Sequence, residues 1–153
     1  MDTSKRQFLD RTLNVTAGMA VAGLLGSSRV LASVEDVQQA MNEFTGGKTA
    51  VPGVVKLTTP EIAENGNSVP VSVSVDRPMS EDDHVESVII LADDNPNAAV
   101  ARFHFSPASG EALASTRIRL ARTQNVLAIA KTSKGEVFTA TNHVKVTIGG
   151  CGG

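Results

Sequence analysis

The chain has 153 residues, with 14 lysines and arginines against 16 aspartates and glutamates, a formal net charge of −2. Without a basic excess to neutralise phosphates, nucleic-acid binding is excluded as a main role. A single cysteine and three histidines give no zinc-ligand spacing, and a lone cysteine cannot close an internal disulfide.

The first predicted element is an export signal over residues 1–32. Lys5-Arg6 ahead of Phe8-Leu9 opens a basic region, and a weakly apolar stretch from Val15 to Gly26 follows, interrupted by Gly18 and Gly23. That stretch is too short and too rich in small residues to anchor in a bilayer. Val30-Leu31-Ala32 places small and aliphatic residues where a signal peptidase reads them, so cleavage is expected before Ser33. The basic pair resembles a twin-arginine signal, with Lys5-Arg6 standing where two arginines are usual. No membrane association is expected after cleavage. The removed part takes away Lys5, Arg6, Arg11 and Arg29 but only Asp2 and Asp10, so the remainder is more acidic. It is still long enough for one core.

A short helix comes next. Ser33 is placed to cap it, with Asp36 three residues on, and Val34, Val37, Met41 and Phe44 form one apolar stripe before Gly46-Gly47 ends it. From there the period changes to two. Strands are expected at 54–58, 69–75, 85–92, 99–105, 113–122, 126–131 and 136–148. Val69, Val71, Val73 and Val75 alternate with Pro70, Ser72, Ser74 and Asp76, which marks a half-buried strand. Val88 to Leu91 is apolar on both faces and is expected to be central. Asn65-Gly66-Asn67, Asp94-Asn95-Pro96-Asn97 and Ser133-Lys134-Gly135 supply turns. About seven strands with no helix between them predict an all-β, immunoglobulin-like antiparallel sandwich. With the short helix it forms one domain over residues 33–148.

Few side chains in this domain point to chemistry. His84, His104 and His143 have no neighbours at metal-ligand spacing, and His104 alternates with Phe103 and Phe105, which puts it on the wet side of its strand. Glu81-Asp82-Asp83 reads as a hydrated loop, short of the oxygen ligands that calcium needs. Arg117, Arg119 and Arg122 can recognise an anion or simply line a wet strand face. No catalytic residue and no metal site are expected.

The tail is different. Residues 149–153, Gly149-Gly150-Cys151-Gly152-Gly153, hold four of the 13 glycines and the single cysteine. Such a segment cannot pack a core; it is expected to be a thin, mobile arm that presents one sulfur atom. From Ile148 the extended chain reaches about 10 Å to Cys151. A glycine arm cannot hold a histidine against the thiol, so self-contained nucleophilic catalysis is not expected. A thiolate can instead be joined oxidatively to an anionic sulfur species and keep it tethered through several reactions. No cation adjoins Cys151 in sequence, so its activation is left to a partner enzyme.

The terminal run Val144 to Gly153 resembles the swinging arm of the SoxY family, the sulfur carriers of bacterial thiosulfate oxidation. Pro60 to Gly66, Val69-Pro70-Val71, Phe103 to Ala108 and Ser115 to Val126 are similar to that family as well. The resemblance implies a periplasmic sandwich that pairs with a SoxZ-type β-sandwich subunit, with Cys151 as the point of covalent attachment and Gly149, Gly150, Gly152 and Gly153 as the flexible arm. It implies a haem-containing enzyme that couples thiosulfate to Cys151, a hydrolase that releases sulfate, and a dehydrogenase for the remaining sulfane sulfur. No cofactor is implied for the carrier beyond sulfur adducts on Cys151, and the carrier itself turns over nothing. Two rival readings use the same tail. An exported structural sandwich could form a Cys151-linked dimer, and terminal Gly-Gly also occurs in ubiquitin-like sulfur carriers, whose ATP-dependent activation does not suit an exported chain.

Overall fold

The computed structural model describes residues 34–150. The expected export segment 1–32, the capping Ser33, and Cys151, Gly152 and Gly153 lie outside the described residues. Helix α1 (Val34–Thr45) buries Val37 and Phe44, with Met41 half-buried. Val34, expected in the same stripe, is 72% exposed; it stands nearly a turn ahead of Val37, the first residue to reach the sheet. Gly46 and Gly47 adopt φ of +66° and +80°, and the Gly47 N–H donates to Asn42 O at 3.1 Å, which closes the helix.

Nine strands follow: β1 (Val51–Pro52), β2 (Val55–Thr58), β3 (Ile62–Asn65), β4 (Val69–Val75), β5 (Val85–Ala92), β6 (Ala99–His104), β7 (Ala112–Ile118), β8 (Gln124–Thr132) and β9 (Val137–Ile148). All seven expected strands are among them; β1 and β3 are additions. The larger sheet runs β1-β9-β8-β5-β6, with β3 also paired to β9, and the smaller runs β2-β4-β7. Pairing is antiparallel except that the two short additions, β1 and β3, run parallel to opposite ends of β9.

The valines of β4 face inward, as their alternation requires. In β5 both faces are buried for separate reasons. Val88 and Ile90 join the core between the sheets, while Ile89 and Leu91 pack with Val37 and Phe44 of α1. The helix thus makes a third layer, and the burial of Val37 and Phe44 contributes about 2 kcal/mol each. Arg102 lies over the Phe44 ring at 5.5 Å. Strand β7 stops at Ile118, short of the expected Arg122. Leu120 stays fully buried, but its backbone N–H and C=O bond to segments other than a ladder partner. No helix among the described residues is long and apolar enough to cross a membrane.

Candidate functional site

The described chain ends at Gly150, the residue bonded to Cys151, and the geometry there bears on how the thiol is presented. Strand β9 is long because it serves two neighbours. Val137 to Val144 pair with β8. The next four residues overhang it and pair with β3, Ile62 opposite Lys145 and Asn65 opposite Ile148. The overhang is pinned from its other side by Thr123, whose Oγ1 accepts from the Val146 N–H at 2.9 Å.

Beyond β9 three backbone segments close into a ring. The Gly66 N–H donates to Ile148 O at 2.7 Å, the Leu120 N–H donates to Gly66 O at 2.8 Å, and the Gly150 N–H donates to Leu120 O at 2.9 Å. Close approach of these chains is possible because three of the residues lack a side chain. A Cβ on Gly66 would lie 2.7 Å from Gly150 N and closer still to Leu120 O; one on Gly149 would collide with Ala121 O; one on Gly150 would lie 2.9 Å from Gly66 O. None of the three has a left-handed φ, so steric room, not turn conformation, requires glycine here. Gly149 and Gly150, expected to belong to the mobile arm, are thus seated on the domain, and Gly150 is buried.

The shelf that receives them is itself fixed. Leu120 has no exposed surface, and Asn95, 1% exposed, brackets it: Asn95 Nδ2 donates to Arg119 O at 2.7 Å and Oδ1 accepts from the Ala121 N–H at 2.9 Å. Gln124 Nε2 donates to the same Oδ1 at 3.0 Å and to Arg122 O at 3.0 Å. A buried amide network of this kind is rigid when every group is satisfied. On the other side Asn65 Oδ1 accepts from the Asn67 N–H at 2.9 Å, shaping the turn that carries Gly66. Gly66, Leu120 and Asn95 are the residues that sequence reasoning missed in this role. Asn65-Gly66-Asn67 and Asp94-Asn95-Pro96-Asn97 register only as turns, and no local pattern shows that the first meets the residues after β9 while the second braces the Leu120 segment beneath them.

Two arginines flank Leu120-Ala121 in the sequence. Arg119 and Arg122 are exposed. Arg122 Nε is 3.6 Å from Asp94, and the Arg119 side chain has no hydrogen bond or ion pair among the described residues. Arg117 reaches back to Ser68 Oγ at 3.3 Å. The remaining candidates are scattered: His104 is exposed between half-buried Phe103 and Phe105, His84 Nδ1 is 3.1 Å from Ser80 O, and His143 Nδ1 is 3.0 Å from Asn125 Oδ1. Asp83 of the acidic run is occupied by Lys134 at 3.2 Å and Arg77 at 3.6 Å. No group of three or more acidic, histidine or cysteine side chains among the described residues is placed to hold a metal ion.

A family model for the sulfur oxidation protein SoxY matches residues 41–151. Among solved structures, the sulfur carrier protein SoxY from Chlorobium limicola f thiosulfatophilum is 29% identical, with a TM-score of 0.62 over 76% of this chain and 100% of that one. A superoxide reductase (neelaredoxin) from Ignicoccus hospitalis, 19% identical, gives 0.54 over 61% of this chain and 80% of its own, a likeness of fold alone. A search of curated protein sequences found no match.

Proposed function

This chain belongs to the SoxY family of sulfur oxidation proteins, and from that premise we propose that it is a periplasmic sulfur carrier whose single cysteine, Cys151, holds the cargo covalently. The observation that carries the reading is the chain's one thiol following directly on a glycine root that the fold packs against the domain. In the first step the Cys151 thiol and the outer sulfur of thiosulfate form a disulfide bond. The thiol proton is released and an electron pair passes to a haem-containing partner enzyme. Hydrolysis by a second partner then cleaves the bond to the terminal sulfone, releasing sulfate and leaving a persulfide on Cys151. A dehydrogenase removes electrons from that sulfane sulfur, with water supplying oxygen. Each adduct is anionic. The carrier supplies attachment and presentation, and the chemistry belongs to its partners.

A SoxZ-type subunit pairs with the sandwich in this scheme, residues 1–32 direct export by a twin-arginine-like route, and Gly152 and Gly153 keep the segment beyond the thiol thin enough to enter narrow channels. The test is the intact mass of protein taken from thiosulfate-grown cells, with and without reductant. Reductant-sensitive increments on Cys151 that match sulfur or sulfur-oxoanion adducts are expected. A mass matching only a disulfide-linked dimer would replace the carrier by the structural reading. Cys151→Ser is expected to abolish thiosulfate-dependent sulfate formation while leaving the fold and the partner subunit's binding intact; undiminished turnover would end the proposal.

A further inference from the structure

Resting on the reading of Cys151 as the carrier thiol, we propose that Gly66 is a positioning residue for the arm, holding Gly150 so that the thiol is launched from a fixed point one peptide step away. Three observations meet here. Gly66 uses both its backbone groups on the arm's root: its N–H goes to Ile148 O and its C=O receives Leu120, which in turn accepts from Gly150. A side chain at 66 would meet backbone atoms on two sides, Leu120 O and Gly150 N, together with Val146 Cγ1 at 3.0 Å. Backbone cannot rotate away as a side-chain tip can, so the ring must open. Finally, Asn95 fixes Leu120 from the far side, through Arg119 O and the Ala121 N–H, so the ring has a rigid base.

The consequence is a shorter working tether than the glycine content implies. With the ring closed, Cys151 follows a seated residue by one step of about 3.8 Å; with it open, Gly149 and Gly150 join the tether and the thiol samples a wider volume. Ordering the root during folding spares that ordering when a partner docks, the general advantage of a preorganised ligand. Gly66 therefore acts on presentation, not on the reactivity of sulfur.

Amide hydrogen exchange on the full chain, followed residue by residue by NMR, tests this without any sulfur chemistry. In the unaltered protein the Gly150 and Leu120 amides are expected to be protected at least about tenfold against an unstructured glycine-rich segment. Gly66→Ala is expected to raise Gly150 exchange about tenfold while the β8 amides of Ile129 and Ala130 hold their protection. Gly149→Ala opens the same ring from the arm side, near the chain's end, and serves if Gly66→Ala does not fold. The folded variant is expected to be coupled to thiosulfate by the haem-containing enzyme with kcat/KM lowered about tenfold, while iodoacetamide modifies Cys151 at an unchanged rate. The inference is overturned if Gly150 is unprotected in the unaltered protein, or if both variants leave its protection and the coupling kinetics unchanged. It also fails if Gly150 and β8 amides rise together, which would make Gly66 merely structural. A carrier hypothesis that failed would show instead as the absence of any adduct on Cys151, whatever the exchange rates.

Discussion

Two Gly-Gly pairs sit at two ends of secondary-structure elements and are glycine for opposite reasons. Gly46 and Gly47 close α1 with positive φ, and a Cβ on either would meet nothing within 4 Å. Their requirement is conformational. Gly149 and Gly150 follow β9 without left-handed φ, and a Cβ on either would press into the backbone of Ala121 or Gly66. Their requirement is steric. The same dipeptide thus marks a turn into solvent in one region and a closely packed root in the other, and only the second bears on the thiol.

Substitutions can sharpen or break this contrast. The largest stability effect is expected from Asn95→Ala, which removes both bonds that bracket Leu120 and one from Gln124. Leaving those buried groups unpaired should cost about 3 kcal/mol in urea unfolding. Gly150→Val should lower kcat/KM for thiosulfate coupling by about 10- to 100-fold, both by opening the root and by thickening the arm, while the melting temperature moves little. Normal kinetics with this variant would mean that neither the seat nor the thinness matters. Gly47→Ala should be the mildest, destabilising by about 1 kcal/mol because alanine resists a left-handed φ, with turnover unchanged. A loss of turnover in that variant would break the contrast, since α1 would then be coupled to the arm.

Legibility divided along the same line. The helix boundary was readable because Gly46-Gly47 interrupts a short periodic stripe, and the valine alternation of β4 announced which face is wet. His104 fell on the exposed side for the same local reason. Strand β3 was not readable: Ile62-Ala63-Glu64-Asn65 puts its two apolar residues side by side and shows no period of two, and the structure leaves Ile62 exposed. It is a strand because β9 overhangs β8 and offers an unpaired edge. The apolar run of β5 reads as central, yet the sequence does not say that α1, and not a third sheet, covers Ile89 and Leu91.

By itself the sequence determined the elements whose signals are local, namely the alternating strands, the helix closed by Gly46-Gly47, the isolated thiol among glycines and the family to which that tail belongs. Hydrophobic period and backbone stereochemistry act within a few residues, so they can be read from a few residues. The tertiary structure alone decided that Gly66, Leu120 and Gly150 meet. Hydrogen bonds between positions so far apart in the chain exist only after the two sheets have packed. The seat of the arm is therefore a property of the folded sandwich, although every residue that builds it is visible in the sequence.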